Sequence, residues 1–267
     1  LALELENYGD ARVKATSILI PNILNDVDSY KKLYEKHRAK AESAHPEILQ
    51  KIQKLTEMVP QIVKLGPDQE LPATPENLAQ ITHDPNAPEN TKSLEYILHA
   101  RISAAPASIL LYKIVSKIVN DLGVGSTTPG GLKKVARLVF KTILNYGGDF
   151  AKCRDISRCT VEVEDLASVL RVAEALLACE SLVVVRMKNR FDAGFDSAPI
   201  GGYRDLQFLC VIQTEDGVWR YGEVQVNLKD FVQLKAGIDP ETGEKWIDEK
   251  SEKSVVRGHN AFNQARA

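Results

Sequence analysis

Alternating apolar and polar positions in the second half of the chain predict β-strands. The alternation is clearest over residues 206–214 and 218–228, and the Asp-Gly pair at 216–217 between them is typical of a hairpin turn. Two shorter runs of the same kind lie at 159–163 and 182–187. We therefore expect four strands in this half of the chain.

Helical periodicity fills most of the spaces before, between and after these strands. Residues 132–145 and 165–179 each carry a single apolar stripe, and further helices are expected at 229–236 and 249–267. The resulting order, α-β-α-β-β-β-α-α, predicts an α+β fold with a mixed β-sheet and flanking helices packed against one face.

The first half of the chain is predicted to be helical. Helices are expected at 26–44 and 46–58, and at 94–122 with a break near Ala105-Pro106, because proline interrupts the helical hydrogen-bond ladder. The intervening residues 66–92 are rich in Pro, Asn and Asp and predict a long loop.

A glycine- and threonine-rich segment at 123–131 predicts the main domain boundary. The division gives a helical accessory region, 1–122, and an α+β domain, 131–267. The chain begins with Leu rather than Met, so we expect a fragment of a longer protein.

Composition and charge narrow the class of protein but not its chemistry. The chain has 267 residues, of which 44% are hydrophobic and 26% charged, as in ordinary globular proteins. A net charge of −2 favours no polyanionic partner by itself, so only local clusters of charge bear on whether such a partner binds.

No apolar run approaches the length of a membrane span, and no membrane partner is expected. The four cysteines lack zinc spacing and are interpreted as reduced thiols, which favours a cytoplasmic location, with secretion or delivery into another cell left open.

The last predicted strand places polar side chains in a row on one face. Glu223 and Gln225 point to one side, and Val224 and Val226 point to the other. A strand without a chemical role has little use for such a row, so it indicates the floor of a polar cleft that binds a metal ion and a nucleotide.

A second carboxylate strengthens this interpretation. Asp155 lies where the chain enters the first predicted strand. Alone it would be read as a capping or turn residue. Together with Glu223 on a neighbouring strand, it is a candidate ligand for Mg²⁺, which would bridge nucleotide phosphates.

Basic residues precede this first strand. Lys133, Arg137 and Lys141 are four apart, so a helix would place them in one stripe. The stripe is either a solvated face or a set of phosphate contacts for a triphosphate.

A loop with two glycines introduces a candidate base-binding aromatic residue. Tyr203 follows Gly201-Gly202, which would place its ring at the lip of a cleft, although a core aromatic residue is the alternative. Lys188 and Arg190 close the second predicted strand and are either phosphate contacts or ordinary surface charges.

Several of these segments follow one another in the order seen in a known family. The ordered set is the basic helix ending in Tyr146-Gly147-Gly148-Asp149, Asp155-Ile156-Ser157-Arg158, Lys188-Asn189-Arg190-Phe191, Gly202-Tyr203-Arg204-Asp205, Glu223-Val224-Gln225-Val226, Lys235, Gly258-His259 and Arg266. Residues 131–266 therefore resemble the RelA/SpoT-like nucleotidyltransferases, which include alarmone synthetases that make (p)ppGpp and related toxins.

The resemblance implies an activity and its partners. It implies a pyrophosphokinase that transfers the β,γ-pyrophosphate of ATP to a ribose hydroxyl of a guanine or adenine nucleotide, or of a tRNA 3′ end, and releases AMP. It also implies Mg²⁺ as the cofactor, held by Asp155 and Glu223.

The resemblance also implies roles for binding residues. The ATP side is assigned to Lys133, Arg137, Lys141 and Arg158. The acceptor side is assigned to Lys188, Arg190, Tyr203, Asp205, Gln225 and His259, with Tyr203 stacked on the base.

Departures from the common family pattern leave the acceptor open. Thr160 stands where the housekeeping alarmone synthetases usually carry Arg, and Asp205 and Gln207 replace their usual Ser and His. The later strand continues with Asn227-Leu228 instead of Arg-Thr. The sequence is more similar to the divergent branch that includes toxins acting on adenine nucleotides or on tRNA.

Two other functions stay open at this point. One is a nucleotide-sensing module without chemistry, and the other is a different nucleotidyl transfer on a related fold. Release of AMP would mark pyrophosphate transfer, whereas release of pyrophosphate would mark nucleotidyl transfer. The helical region 1–122 is a candidate inhibitory, targeting or protein-docking segment.

Overall fold

A computed structural model of the protein describes residues 31–59, 88–197, 202–236 and 238–243. The chain forms two compact units. The sheet unit comprises His45–Phe195 and Asp205–Leu228, and the terminal unit comprises Leu1–Ala44, Asp196–Arg204 and Lys229–Ala267.

The described helices and strands agree closely with most of the expected ones. Residues 31–44 are helical (α1), and the further helices are α2 (Pro46–Met58), α3 (Leu94–Leu122), α4 (Val135–Tyr146), α5 (Leu166–Leu177) and α6 (Lys229–Ala236). The strands are β1 (Ser126–Leu132), β2 (Ser157–Val163), β3 (Val183–Asn189), β4 (Leu206–Gln213) and β5 (Trp219–Leu228). The helix predicted over 249–267 and most of the loop predicted over 66–92 lie outside the described residues.

The five strands form one mixed sheet in the order β1-β2-β5-β4-β3. Of the four neighbouring pairs, only β2 and β5 are parallel, and their register places Arg158 beside Glu223. The other pairs are antiparallel. The predicted α+β class with a mixed sheet is confirmed.

Helices α3 and α5 cover one face of the sheet. The Cδ2 atom of Leu111 on α3 lies 2.8 Å from the place where a Cβ atom on Gly222 of β5 would be, so the helix and the strand are in close contact. The Ser157 hydroxyl donates a hydrogen bond of 2.8 Å to the Ala104 carbonyl of α3. The helix α3 is therefore part of the core of the sheet unit.

This packing corrects the predicted boundary at 123–131. The segment does not separate compact units, because α3 before it and the sheet after it belong to the same one. Part of the segment is itself a strand, β1, which sequence reasoning missed. Pro129 is tolerated there because β1 lies at the edge of the sheet, where not every backbone N–H has a neighbouring acceptor.

The break predicted at Ala105-Pro106 is also absent. Helix α3 runs without interruption from Leu94 to Leu122, with Pro106 inside it. An internal proline costs about 3 kcal/mol. Residues on both sides of it, Ala104 and Ala107, are buried with the rest of the apolar face, and that packing offsets the cost.

By length and composition alone, α3 is the one helix of the described residues that is apolar enough to cross a membrane. Sequence analysis expected no run of this length. One side of α3 packs on the sheet, and the residues buried along it are Tyr96, Ile97, Ala100, Ala104, Ala107, Leu111, Val115 and Val119. This side of α3 is therefore apolar because it forms part of the protein core.

In the terminal unit, α1 and α6 are joined by buried contacts. The Tyr34 hydroxyl donates a hydrogen bond of 2.8 Å to the Phe231 carbonyl, and the two rings are 5.2 Å apart. The His37 Nδ1 atom lies 2.7 Å from a carboxylate oxygen of Asp230. These contacts fix α1 against α6.

Glycines before and within β1 allow the backbone to approach β2 closely. A Cβ atom on Gly125 would lie 1.9 Å from the carbonyl oxygen of Glu162, and one on Gly130 would lie 2.8 Å from that of Arg158. The approach is closer than any side chain permits, so glycine is required at both positions.

Gly125 and Gly123 give a matched test of this close approach. Both have positive φ, 62° and 63°, but a Cβ atom on Gly123 would meet nothing within 4 Å. We expect Gly123→Ala to cost about 1–2 kcal/mol of unfolding free energy through backbone strain alone. Gly125→Ala should cost about 1–3 kcal/mol more, because the strand must move. Urea denaturation measures both, and equal losses would show that β1 does not approach β2 as described.

Candidate active site

Two lysines converge on the carboxylate of Asp155, just before β2. The Nζ atoms of both Lys133 and Lys141 donate to its Oδ2 atom, the latter at 2.7 Å. Lys133 comes from the connection after β1, where its backbone N–H donates to the Ile156 carbonyl at 2.9 Å. Lys141 comes from α4. Local backbone pairing thus carries one ammonium group to the carboxylate, and a helix carries the other.

The lysine charges determine the ionisation of Asp155. Burial alone would raise the pKa of Asp155, but the charges of Lys141 and Lys133 outweigh burial and lower it to about 2. Burial lowers the pKa of Lys133, although Asp155 opposes it, whereas the pKa of Lys141 is raised because Asp155 outweighs burial. Asp155 is therefore an ionised carboxylate at every physiological pH.

Glu223 is a buried carboxylate with a different environment. It lies in the middle of β5, and its Oε1 atom accepts a hydrogen bond of 2.6 Å from the Gln225 side chain. Burial, followed by the negative charge of Asp155, raises the pKa of Glu223. In the part of the chain that the structure describes, no lysine, arginine or histidine forms an ion pair with it.

The pKa values of the two carboxylates are therefore shifted in opposite directions at one site. Asp155 is held charged by two cations, whereas Glu223 is held at a raised pKa and is suited to accept a proton. This contrast is the pattern expected when neighbouring acids have different roles.

The oxygen atoms at this site fit a hard divalent cation. The Oδ1 atom of Asp155 is buried and has no hydrogen-bond partner among the described residues. Glu223 is close enough for the negative charge of Asp155 to raise its pKa. No group of three or more His, Cys, Asp or Glu that could hold a metal occurs in the described ranges. Two carboxylates suit Mg²⁺, which commonly takes one or two protein ligands together with substrate phosphates.

A row of polar residues crosses the sheet beside the carboxylates. The register places Thr160 on β2, Gln225 on β5, Gln207 on β4 and Lys188 on β3 next to one another. Because directly paired residues point to the same side, these side chains extend the polar face away from α3 and α5. The polar row that begins with Glu223 and Gln225 on β5 therefore continues onto the neighbouring strands.

The basic stripe predicted on the helix is not one stripe. Helix α4 begins at Val135, so Lys133 precedes it and reaches Asp155 from the loop. Lys141 reaches the same atom from the helix, whereas Arg137 is exposed on the first turn. Of the ATP-side assignments, the structure brings these two lysines together at Asp155. Arg158 lies beside Glu223 in the parallel register.

At the far end of the polar row, Asp205 holds Arg190. The Asp205 carboxylate is fully buried, and its Oδ1 atom accepts from the Arg190 guanidinium at 2.5 Å. Its Oδ2 atom accepts from the Gln207 amide at 3.1 Å. Lys188 and Arg190 both lie over the ring of Phe195, at 5.5 and 5.9 Å. These contacts make Asp205 an anchor for neighbouring side chains.

Tyr203 belongs to the terminal unit and is buried, which fits the core aromatic residue that was the alternative to a ring at the lip of a cleft. Its ring meets that of Tyr34 edge-on at 6.2 Å, and the Lys235 ammonium lies 4.9 Å from its centre. Gly202 has a φ of 86°, and a Cβ atom on it would lie 2.9 Å from Tyr34 Cβ. The acceptor-binding role of Tyr203 stays a prediction. His259 lies outside the described residues.

Sequence reasoning missed an arginine–tyrosine pair beside the carboxylates. The Arg154 guanidinium lies 4.9 Å from the centre of the Tyr221 ring. The sequence contains a signal for this pair, because Arg154 adjoins Asp155 and Tyr221 lies two positions before Glu223, on the same face of the strand.

Comparisons with known proteins show structural similarity alone. No protein-family profile matches the sequence, and no curated protein matches it. Small alarmone synthetase 1 from Bacillus subtilis, in a structure bound to its product pppGpp, is 17% identical over 53% of this chain and 76% of its own, with a TM-score of 0.42. Small alarmone synthetase 2 from the same organism is 15% identical over 51% and 74%, with a TM-score of 0.44.

A secretion-system effector is among the similar structures as well. The type VI effector Tas1, in a complex with its immunity protein, is 24% identical over 62% of this chain and 72% of its own, with a TM-score of 0.38.

Proposed function

We propose that the protein is a Mg²⁺-dependent pyrophosphokinase that transfers the β,γ-pyrophosphate of ATP to a ribose hydroxyl of a nucleotide or of a tRNA 3′ end. The observation that carries the proposal is the pair formed by Asp155 and Glu223. One member is held ionised by two lysines, and the other has a raised pKa. Such a pair combines a charge-binding group with a proton acceptor.

Glu223 is the group that we assign to the proton. The acceptor hydroxyl loses its proton to the Glu223 carboxylate as its oxygen attacks the β-phosphorus of ATP. A bond forms between this oxygen and the β-phosphorus, and the bond from the β-phosphorus to the oxygen bridging to the α-phosphorus breaks. AMP leaves with that oxygen, so atoms and charge balance without another reactant.

Lys133 and Lys141 are the cations that we assign to the donor phosphates. Both ammonium groups lie at Asp155, where they would compensate the negative charge that develops on the triphosphate. Asp155, through its Oδ1 atom, and Glu223 would hold Mg²⁺. The ion supplies further charge compensation for the phosphates when it is bound.

The same pair argues against a module that only senses nucleotides. The raised pKa of Glu223 suits a proton acceptor, which a reaction needs and nucleotide binding does not. A nucleotidyl transfer would use the same carboxylates, so the products must separate it from pyrophosphate transfer.

Product analysis tests the proposed reaction. The protein is incubated with Mg²⁺, ATP labelled on the γ-phosphate, and GDP, GTP, ADP or tRNA in separate reactions. Pyrophosphate transfer yields AMP and a labelled acceptor. Release of labelled pyrophosphate would instead support nucleotidyl transfer, and no product with any acceptor would count against both.

Replacement of either carboxylate should abolish transfer while the protein stays folded. We expect Asp155→Asn and Glu223→Gln each to lower the rate at least about a thousandfold, because each removes charge needed in the transition state. The control is Asp121→Asn, at an exposed carboxylate on α3 that pairs with Lys117. Near-normal rates in both site variants, with circular dichroism unchanged, would refute the assignment.

The pH profile should report the raised pKa of Glu223. A base acts in its deprotonated form, so kcat/KM should rise with pH through this raised pKa and then level off. Asp155, with a pKa of about 2, stays ionised throughout and adds no inflection. An inflection at the ordinary glutamate value of 4.5 would contradict the described environment of Glu223.

Glu223→Gln should stabilise the metal-free protein, and more so as pH rises. A folded-state pKa above the unfolded value means that the stability contribution of Glu223 is present below the unfolded pKa and is lost as pH rises through the folded one. Gln keeps the oxygen that accepts from Gln225 but never ionises. Melting temperatures in EDTA should therefore coincide near pH 4 and diverge toward pH 8. A wild-type protein that is equally or more stable at pH 8 would show that the burial of Glu223 carries no penalty.

A further inference from the structure

Three arginines on the polar face of the sheet have no carboxylate partner in the described part of the chain. They are Arg154, Arg158 and Arg186, and none forms an ion pair or a side-chain hydrogen bond there. The contrast with neighbouring cations is clear: Lys133 and Lys141 are paired with Asp155, and Arg190 with Asp205.

The strand register places two of these arginines on either side of Glu223. Arg158 on β2 is the direct neighbour of Glu223 on β5, Glu223 is the neighbour of Leu209 on β4, and Leu209 is the neighbour of Arg186 on β3. Residues paired in this way point to the same face. At a strand spacing of about 4.8 Å, Arg186 begins about 10 Å from Glu223, within reach of a long side chain.

The third arginine, Arg154, is held over the same face by an aromatic ring. Its guanidinium lies 4.9 Å from the centre of Tyr221, which is two positions before Glu223 on β5. Tyr221 is buried and packs with Val185, Leu209 and Val211. Because this cluster is rigid core, the position of the guanidinium is set before any ligand arrives.

Arg154 and Arg186 lie against the same part of the sheet. The Arg154 guanidinium lies over Tyr221, and Tyr221 packs with Leu209, which is the direct neighbour of Arg186 on β3. Two neighbouring guanidinium groups without a carboxylate partner favour an anion, and planar guanidinium groups match phosphate oxygens well.

We propose that Arg154 and Arg186 bind a phosphate group of the acceptor, on the β3 side of Glu223. The inference rests on the proposed function, which assigns the donor triphosphate to Asp155, Lys133 and Lys141 on the β2 side. The attacking hydroxyl of the acceptor then lies at Glu223, and a phosphate beyond it belongs to the molecule that carries this hydroxyl. Arg190, which sequence analysis assigned to acceptor phosphates, is already neutralised by the buried Asp205.

The test compares ligands that differ only in phosphate. Affinities of ADP and adenosine, and of GDP and guanosine, are measured by calorimetry with Mg²⁺ and with α,β-methylene ATP present to occupy the donor site. The RNA trinucleotide CCA is a third ligand, since its phosphates are internal. The variants are Arg154→Gln, Arg186→Gln, the double variant and Arg154→Lys, and the control is Lys51→Gln on the exposed side of α2.

We expect the variants to lose affinity only for ligands that carry a phosphate group. Each Gln variant should weaken diphosphate binding about tenfold and the double variant about a hundredfold, on the scale of charge-assisted hydrogen bonds. Nucleoside binding should be unchanged, and Arg154→Lys should retain part of the affinity. A loss confined to CCA would also support the phosphate site and would identify RNA as the source of the phosphate.

Two results would overturn the proposal: unchanged affinities in the double variant, or equal losses for nucleosides and diphosphates. The measurement needs no turnover. If the phosphate-dependent loss is found but no acceptor is ever pyrophosphorylated, the phosphate site stands and the proposed reaction fails.

Discussion

The site depends on the placement of two acidic side chains in one buried, low-dielectric environment. Parallel pairing of β2 with β5 brings Glu223 beside the start of β2, where Asp155 lies. The charge of Asp155 disfavours ionisation of Glu223, and two ammonium groups stabilise the ionised form of Asp155. The lysines lower the pKa of Asp155 much more than that of Glu223. They fix Asp155 as the charged partner and leave Glu223 as the group that can take up a proton.

The rest of the sheet unit supports that arrangement. Edge strand β1 ends next to Lys133, whose backbone N–H bonds to the Ile156 carbonyl, so strand pairing places the first ammonium group. Glycines at 125 and 130 let β1 approach β2 closely enough for this pairing. Helix α3 packs on the opposite face of the sheet, away from Asp155 and Glu223. Packing on one face thus sets the chemistry available on the other.

Much of the fold could be predicted because the local pattern and the tertiary environment agree. The strands β2, β4 and β5 alternate with a period of two, and helix α6 lies where its pattern places it. Elements that depend on distant partners were not predicted. Strand β1 has the composition of a loop and is a strand only because β2 pairs with it. Helix α3 continues through Pro106 because the sheet buries both sides of that residue.

In the candidate site, too, residues placed by local pattern could be predicted, and residues placed by distant partners could not. The two carboxylates follow from strand periodicity and order, whereas the pairing of Lys133 with Asp155 depends on a loop that no helical pattern describes. The burial of Tyr203 depends on α1, which is distant in sequence. Arg154 and Arg186 become neighbours only through the β3-β4-β5 register, so their positions could not be predicted from spacing alone.

The most direct measurement of the central claim is the titration of the two carboxylates by NMR, with ¹³C-labelled Asp and Glu in the metal-free protein. Assignments come from Asp155→Asn and Glu223→Gln. We expect Asp155 to stay ionised down to a pH of about 2 and Glu223 to titrate above its ordinary value of 4.5. Two carboxylates that titrate together near their ordinary values would contradict it, because neither would then be distinguished as the base.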